Sequence, residues 1–280
     1  MDDRKLLAIL VVYDLTRAIL AKGNLFLVLK SLNVKYNLLV ISNNQKVLEE
    51  LSGSNIFGEF SGWDEALSTV NIAQFSHFLF VNDTFYEDGR FGPSEVLDLR
   101  NILSLNGSQC FIWGEVSYFT NIKRLAIFKM WIHKWVRTSF FLMDRLALFK
   151  LKSLTPLEFN LTVDFKSRSI SSVTMPDNAT SLIIERVQAW IFPSISESGW
   201  SRLSSASNER IRLKAYCVYA ELMLSHRCTK SGISIISTSN RRTIRYSILD
   251  LAYRFQCIVS TPFRRLRFIL TILGFGGAQK

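Results

Sequence analysis

Lys5-Leu6-Leu7-Ala8-Ile9-Leu10-Val11-Val12-Tyr13-Asp14 decides the fold. Leu6 to Tyr13 is an unbroken apolar run with several β-branched residues, which reads as a strand covered on both faces rather than half-exposed. Acidic residues precede it where a secretion signal would carry positive charge, and no small-residue cleavage pattern follows it. What comes next repeats the alternation of strand and helix. Leu15 to Leu32 has apolar residues near helical spacing, Tyr36 to Ile41 is a second apolar strand ending at Ser42-Asn43-Asn44, and His77 to Val81 is a third, ending at Asn82-Asp83-Thr84. A helix follows from Pro93 to Leu105, then a fourth strand from Cys110 to Trp113. Such alternation is the sequence form of an α/β domain with a mostly parallel sheet flanked by helices.

Between these elements the spacing predicts a short helix over 45–51, a loop over 52–62 and a helix over 63–70. Val136 to Met143 reads as a strand and 144–151 as a helix. Residues 153–178 look like a long connection, and helices fit 180–191 and 208–230, the latter ending at Gly232, where a left-handed cap is expected. A short strand over 233–236, a helix over 246–259 and a basic, aromatic tail complete the chain. The organisation expected is therefore an α/β half over 1–152, a mainly helical half contiguous with it over 153–259, and a tail over 260–280.

Lys and Arg number 34 against 23 Asp and Glu, for a formal net charge of +11. With nearly half of its residues hydrophobic and few Gly or Pro, the chain can build a full core, which excludes disorder, collagen-like repeats and a disulfide-stapled miniprotein. Residues 1–200 hold 20 basic and 20 acidic side chains, whereas 201–280 hold 14 and three. The imbalance belongs to the last 80 residues. Cys110, Cys217, Cys228 and Cys257 have no metal-type spacing and read as buried thiols in a reducing compartment. No apolar stretch reaches the length of a membrane span.

Ligands of open α/β sheets collect at the carboxyl ends of the strands. Three such ends are polar here: Tyr13-Asp14, Ser42-Asn43-Asn44 and Asn82-Asp83-Thr84. Asp83, followed by Glu87 and Asp88, could hold Mg²⁺ or Mn²⁺ against a diphosphate, or it could simply cap a turn. His77, His133 and His226 lack ligand spacing.

The stretch Asn55-Ile56-Phe57-Gly58-Glu59-Phe60-Ser61-Gly62-Trp63-Asp64-Glu65-Ala66-Leu67, with Phe78 to Thr84 after it, resembles the GT-A-type glycosyltransferases of bacterial surface-polysaccharide (O-antigen and capsule) clusters. Trp135-Val-Arg137-Thr138-Ser139 through Arg145 looks like the segment that shapes their acceptor side. Glu221-Leu-Met-Leu-Ser225-His-Arg227, followed by Gly232, is similar to their acidic helix. The sequence departs from the usual pattern in having Asn-Asp-Thr for Asp-x-Asp and Ala220-Glu221 for a Glu-Asp pair.

The resemblance implies a GT-A-like, Rossmann-like sheet. It implies that Asp83 contacts a nucleotide-sugar diphosphate through a divalent cation, and that Tyr13, Asp14, Asn43, Asn55, Gly58, Trp63 and Asn82 line the donor pocket. Arg137, Thr138, Ser139 and Arg227 fall on the acceptor and diphosphate side. Glu221 stands where the catalytic base would be, with Glu115, at the end of the fourth strand, as the second candidate. The implied partners are a nucleotide-sugar donor and a lipid-linked glycan acceptor, with transfer inverting the anomeric centre; the alternative is a non-catalytic member of the fold that scaffolds the assembly machinery.

The tail Pro262 to Phe275 joins arginines to a short apolar stretch, which suits an anionic leaflet. No helix-turn-helix, RNP or zinc-finger pattern points to nucleic acid. The expected location is cytoplasmic, peripheral to the inner face of the membrane.

Overall fold

The computed structural model describes residues 5–44, 46–47, 49, 51–85, 93–104, 110–118, 134–156, 161–172, 178–193 and 203–238. The helix expected over 246–259 and the tail over 260–280 lie outside these residues, as do Glu87, Asp88, Trp131, His133 and Cys257.

Strand β1 (Lys5–Val12) is fully buried from Leu6 onward, as its continuous apolar run requires. It lies between β2 (Lys35–Ser42) and β4 (His77–Asn82), parallel to both, with β3 (Leu51–Ser52) parallel to β2 at one edge. On the far side of β4 come β6 (Lys134–Asp144), β5 (Phe111–Tyr118) and β9 (Ser234–Ser237), giving the order β3-β2-β1-β4-β6-β5-β9. Only β6 runs against the others. The described residues are thus α/β, with a mostly parallel seven-stranded mixed sheet.

Alternate residues of β1 serve two cores. Leu6, Ala8, Leu10 and Val12 face α1 (Leu15–Leu32) and α3 (Pro93–Ser104), while Leu7, Ile9 and Val11 face α2 (Glu59–Ser68), α4 (Arg145–Leu151) and α6 (Asn208–Lys230). Asp14 caps α1 and Asp144 caps α4, each carboxylate accepting an amide of the first turn. α6 carries apolar residues on two sides. Ala220 and Leu224 turn to the sheet, whereas Ile211, Ala215 and Tyr219 turn to a third layer made of α5 (Asn178–Ile191) and the hairpin β7 (Leu161–Asp164) and β8 (Ser169–Ser172). It ends as expected: Gly232 adopts φ +67°, its N–H bonds the Thr229 carbonyl, and that of Ile233 bonds Cys228.

Three expectations are corrected. Instead of a helix over 45–51, the chain turns at Asn44, whose carbonyl and side chain take the N–H groups of Val47 and Lys46, and then forms β3. α2 starts at Glu59, not at 63, because Gly58 turns the chain at φ +60°. Gly62 therefore sits inside a helix, where a Cβ would stand 2.9 Å from Asn43 Oδ1 and 3.0 Å from Val11 Cγ2. Its role is close approach rather than loop formation. The presumed connection over 153–178 contains the hairpin, whose turn is set by Asp164 accepting from the amides of Lys166 and Ser167. No helix among the described residues is long and apolar enough to cross a membrane.

Candidate functional site

The chain leaves β1 through α1 to reach β2 on one side, and returns through α2 to β4 on the other. Because α1 and α2 lie on opposite faces, the carboxyl ends of β1 and β4 form a topological switch point, the place where open sheets bind ligands. Tyr13 stands there. Its N–H donates to Asp83 Oδ2 at 2.7 Å, its carbonyl accepts from Asn44 Nδ2 at 2.6 Å, and its hydroxyl accepts from Asn43 Nδ2 at 3.2 Å and donates to Glu59 Oε2 at 3.5 Å. Burial, reinforced by the Glu59 charge, holds the phenol well above its usual pKa, so it remains a proton donor.

Asn43 is 6% exposed and ties this tyrosine to α2 through a 2.7 Å bond to the Gly58 carbonyl. Its Oδ1 lies against Gly53 and Gly62, so close that a Cβ on Gly53 would fall 2.0 Å away. Asp83 is 1% exposed, and Oδ2 also accepts from Asp14 N at 3.2 Å. The carboxylate thereby stitches the end of β4 to the end of β1. Asn82 Oδ1 closes the turn on Thr84 N at 3.1 Å, and Asp14 is the exposed cap of α1. Asn55 adopts φ +55°, and its buried Oδ1 has no partner among the described residues.

A second feature of the site is an irregularity in β6. Gly114 pairs with Phe141 but Val116 with Val136, so β6 carries three more residues than β5 across this interval. The bulge comprises Arg137, Thr138, Ser139 and Phe140. Gly114 makes room for it, since a Cβ there would come 2.7 Å from Val136 Cγ1. Bulges re-aim side chains. Pairing of β6 with β4 ends at Phe140, and α6 supplies acceptors to the backbone beyond: Ser225 Oγ to Val136 N at 3.0 Å and Glu221 Oε2 to Thr138 N at 3.4 Å. Glu221 Oε2 also receives the Thr138 hydroxyl at 2.8 Å, and Oε1 receives Trp135 Nε1 at 3.0 Å.

Lys214, Cys217 and Glu221 share one face of α6, at i, i+3 and i+7. Cys217 meets the start of α2, so close that a Cβ on Gly58 would stand 2.2 Å from its sulfur. Burial pushes the Glu221 carboxyl above the ordinary glutamate range; the Thr138 hydroxyl and the Lys214 charge pull it back, and Glu59 adds to the rise. Burial first and Glu59 second likewise keep Cys217 a neutral thiol. A partly buried carboxylate of raised proton affinity, fixed by three donors, is equipped to accept a proton from a hydroxyl.

Of the expected site residues, the structure brings Tyr13, Asn43, Gly58, Thr138 and Glu221 to one edge of the sheet, with Asp83 bonded to the Tyr13 and Asp14 amides. Others it does not. Trp63 is wholly buried, its indole N–H bonded to the Val81 carbonyl and its ring among Phe60, Phe80 and Phe141, so it is core rather than pocket lining. Arg227 donates to the carbonyls of Leu151, Ser153, Leu154 and Thr155 at 2.6–3.2 Å. Asp64 accepts the Leu154 and Thr155 amides and the Ser153 hydroxyl of the same loop, so this arginine holds a loop instead of facing Glu221. Glu115 lies within β5 rather than at its end, and its carboxylate meets Arg137 Nη1 at 3.2 Å with both side chains at least a third exposed. Ser139 lies on the bulge, partly exposed.

Glu59, Lys214 and Cys217 were not expected in the site. The heptad-like spacing of 214, 217 and 221 was legible, but the partner of that face, the first turn of α2, was hidden by reading 52–62 as loop. No family model matches the chain, and neither does any curated protein or solved structure.

Proposed function

We propose that this chain is a GT-A-type glycosyltransferase, transferring a sugar from a nucleotide donor to a lipid-linked glycan acceptor in surface-polysaccharide synthesis, on the cytoplasmic side and peripheral to the membrane. The observation that carries the reading is Glu221: a carboxylate of raised proton affinity, bonded by Trp135 and by Thr138, the latter on a strand bulge near the switch point of the sheet. In the reaction Glu221 takes the proton of the acceptor hydroxyl, whose oxygen bonds the anomeric carbon as the bond to the diphosphate oxygen breaks. The leaving diphosphate keeps the electron pair, and a single in-line displacement inverts the centre. Lys214, on the same face of α6, and Arg137, on the bulge, supply positive charge for that leaving group. Tyr13 and Asn43 form the donor side.

No step is routed through a divalent cation. Asp83 is poorly suited to ligate one, because it is buried with Oδ2 committed to two backbone amides, and among the described residues no three potential ligand side chains converge. The same observation favours a second reading, a non-catalytic member of the fold that scaffolds polysaccharide assembly. Donor consumption measured across several nucleotide sugars, with and without Mn²⁺, separates the two: turnover that disappears in Glu221→Gln supports the enzyme, and no turnover with any donor supports the scaffold.

A further inference from the structure

The charges of residues 1–200 sum to zero, but several of them cluster by edge of the sheet. Asp14, Asp83 and Glu59 gather at the carboxyl edge of the sheet. At the opposite edge Lys5 and Lys35 open β1 and β2, and Lys30 stands in the last turn of α1. α4 concentrates the pattern. It begins where β6 ends, beside the start of β4. It exposes Leu146 (45%) and Phe149 (53%), three positions apart on one outward face, among the exposed Arg145, Lys150, Lys152 and, from the end of α6, Lys230.

The neighbouring carboxylates are engaged. Asp144 is 3% exposed and accepts from the amides of Ala147 and Phe111, and Asp64 is bonded by the 153–155 loop. Arg145 and Lys150 also donate to the carbonyls of Ala73 and Ser231, which steadies them around the apolar pair. Asp2, Asp3 and Arg4, which precede Lys5, lie outside the described residues.

We propose that this face of α4 docks on an anionic lipid bilayer, with its cations at the headgroups and Leu146 and Phe149 inserted between them. Charge complementarity selects an anionic surface, and the two apolar side chains at the centre select lipid over a nucleic acid, whose phosphates offer them nothing. A second copy is a poorer occupant, because a two-fold contact would set these cations against themselves. The surface is separate from the basic tail and its binding needs no catalysis. Joined to the proposed transfer, it sets the reacting edge about 26 Å from the bilayer, the span of an eight-residue strand. The acceptor would then be met at a sugar end well clear of its lipid.

The test is co-sedimentation of the full chain with vesicles of phosphatidylcholine alone or mixed with phosphatidylglycerol. The wild type should bind only the mixed vesicles. Each cation is worth about fivefold near such a surface, so Lys150→Glu/Lys152→Glu should weaken binding by at least about 25-fold, and Leu146→Gln/Phe149→Gln should weaken it without changing its salt dependence. Binding undiminished in both variants, as it would be if residues 260–280 carried it alone, overturns the proposal. So does a wild type that ignores anionic vesicles, or, in a parallel heparin-retention measurement, variants that lose heparin binding while binding vesicles as the wild type does. If the double charge reversal melts early, Lys152→Gln alone, which leaves the Lys150 contact in place, gives the same decision at about fivefold. Donor turnover without vesicles should be unchanged in all of these variants, so docking and transfer fail in separate measurements.

Discussion

Replacing Glu221 by Gln separates chemistry from architecture. In the native site Oε2 accepts from Thr138 N and Thr138 Oγ1, and Oε1 accepts from Trp135 Nε1. The amide oxygen can retain both Thr138 donors, but the new NH₂ then faces the indole N–H, donor against donor. One charge-assisted bond is lost and two become neutral, a cost of about 2–3 kcal/mol at the scale of such bonds. Removing a carboxylate that burial disfavours returns part of it, leaving a net loss of about 1–2 kcal/mol, or roughly 2–8 °C in Tm. The variant should therefore stay folded. Removing a general base costs 10² to 10⁴ in rate, about 3–5.5 kcal/mol of barrier, so kcat should fall at least about 100-fold while donor KM changes little.

The sign of the pH dependence gives a second reading from the same variant. Glu221 has its folded pKa above its unfolded value, so its contribution to stability is fully present below the ordinary glutamate range and is lost as pH rises through the raised value. The melting-temperature deficit of Glu221→Gln should thus be largest in acid and shrink toward neutrality. Donor turnover within threefold of wild type in a folded variant would refute the base assignment. A deficit that grows from acid to neutral pH would refute the account of the carboxylate's environment.

Asp83→Ala should cost about 2–4 kcal/mol, because the buried Tyr13 amide loses its acceptor while that of exposed Asp14 can turn to water; Asp83→Asn, which keeps an acceptor oxygen, should cost less than half as much in thermal melts. Gly58→Ala combines a backbone conformation reserved for glycine with a 2.2 Å approach to Cys217, so it should lose at least about 3 kcal/mol, and adding Cys217→Ala should restore the steric part but not the backbone part. Arg227→Met should destabilise by about 3 kcal/mol or more by stripping four carbonyls of a charged donor, whereas Arg227→Lys should keep part of that, and neither should alter kcat once folded. Unfolding curves showing Arg227→Met as stable as wild type would remove its loop-holding role.

Continuous apolar strands were the easiest elements to read, because burial on both faces leaves no competing explanation for Leu6 to Val12 or Phe78 to Val81. The end of α6 was legible for a different reason: Gly232 stops it, so local chemistry marks that boundary, while its start is held by a Ser207 cap that the structure reveals. What failed was glycine. Gly53, Gly58 and Gly62 within ten residues read as loop, yet one turns the chain into α2 and the other two lie against Asn43, and only tertiary neighbours distinguish those uses. The same hidden contact concealed Glu59, because a residue assigned to a loop cannot be placed opposite a stripe on α6.

The same distinction separates the candidate site residues. Thr138 and Glu221 were legible as residue types that do chemistry, but the geometry joining them depends on three extra residues in β6 that no periodicity in the sequence reveals. Arg227 and Trp63 are residue types enriched in binding sites, and both are spent inside the fold. A guanidinium offers five donors and the loop 151–155 presents several carbonyls to it, so an arginine six residues from a candidate base is as readily a backbone clamp as a phosphate clamp. Net charge misleads in a similar way. A segment with equal cations and carboxylates reads as neutral along the chain, yet Lys5, Lys30 and Lys35 fall at one edge of the sheet and Asp14, Glu59 and Asp83 at the other, while the buried Asp144 caps α4 on the cationic edge. The placement of these charges, with exposed cations around α4 and the nearby Asp144 buried in hydrogen bonds, carries information that their sum does not.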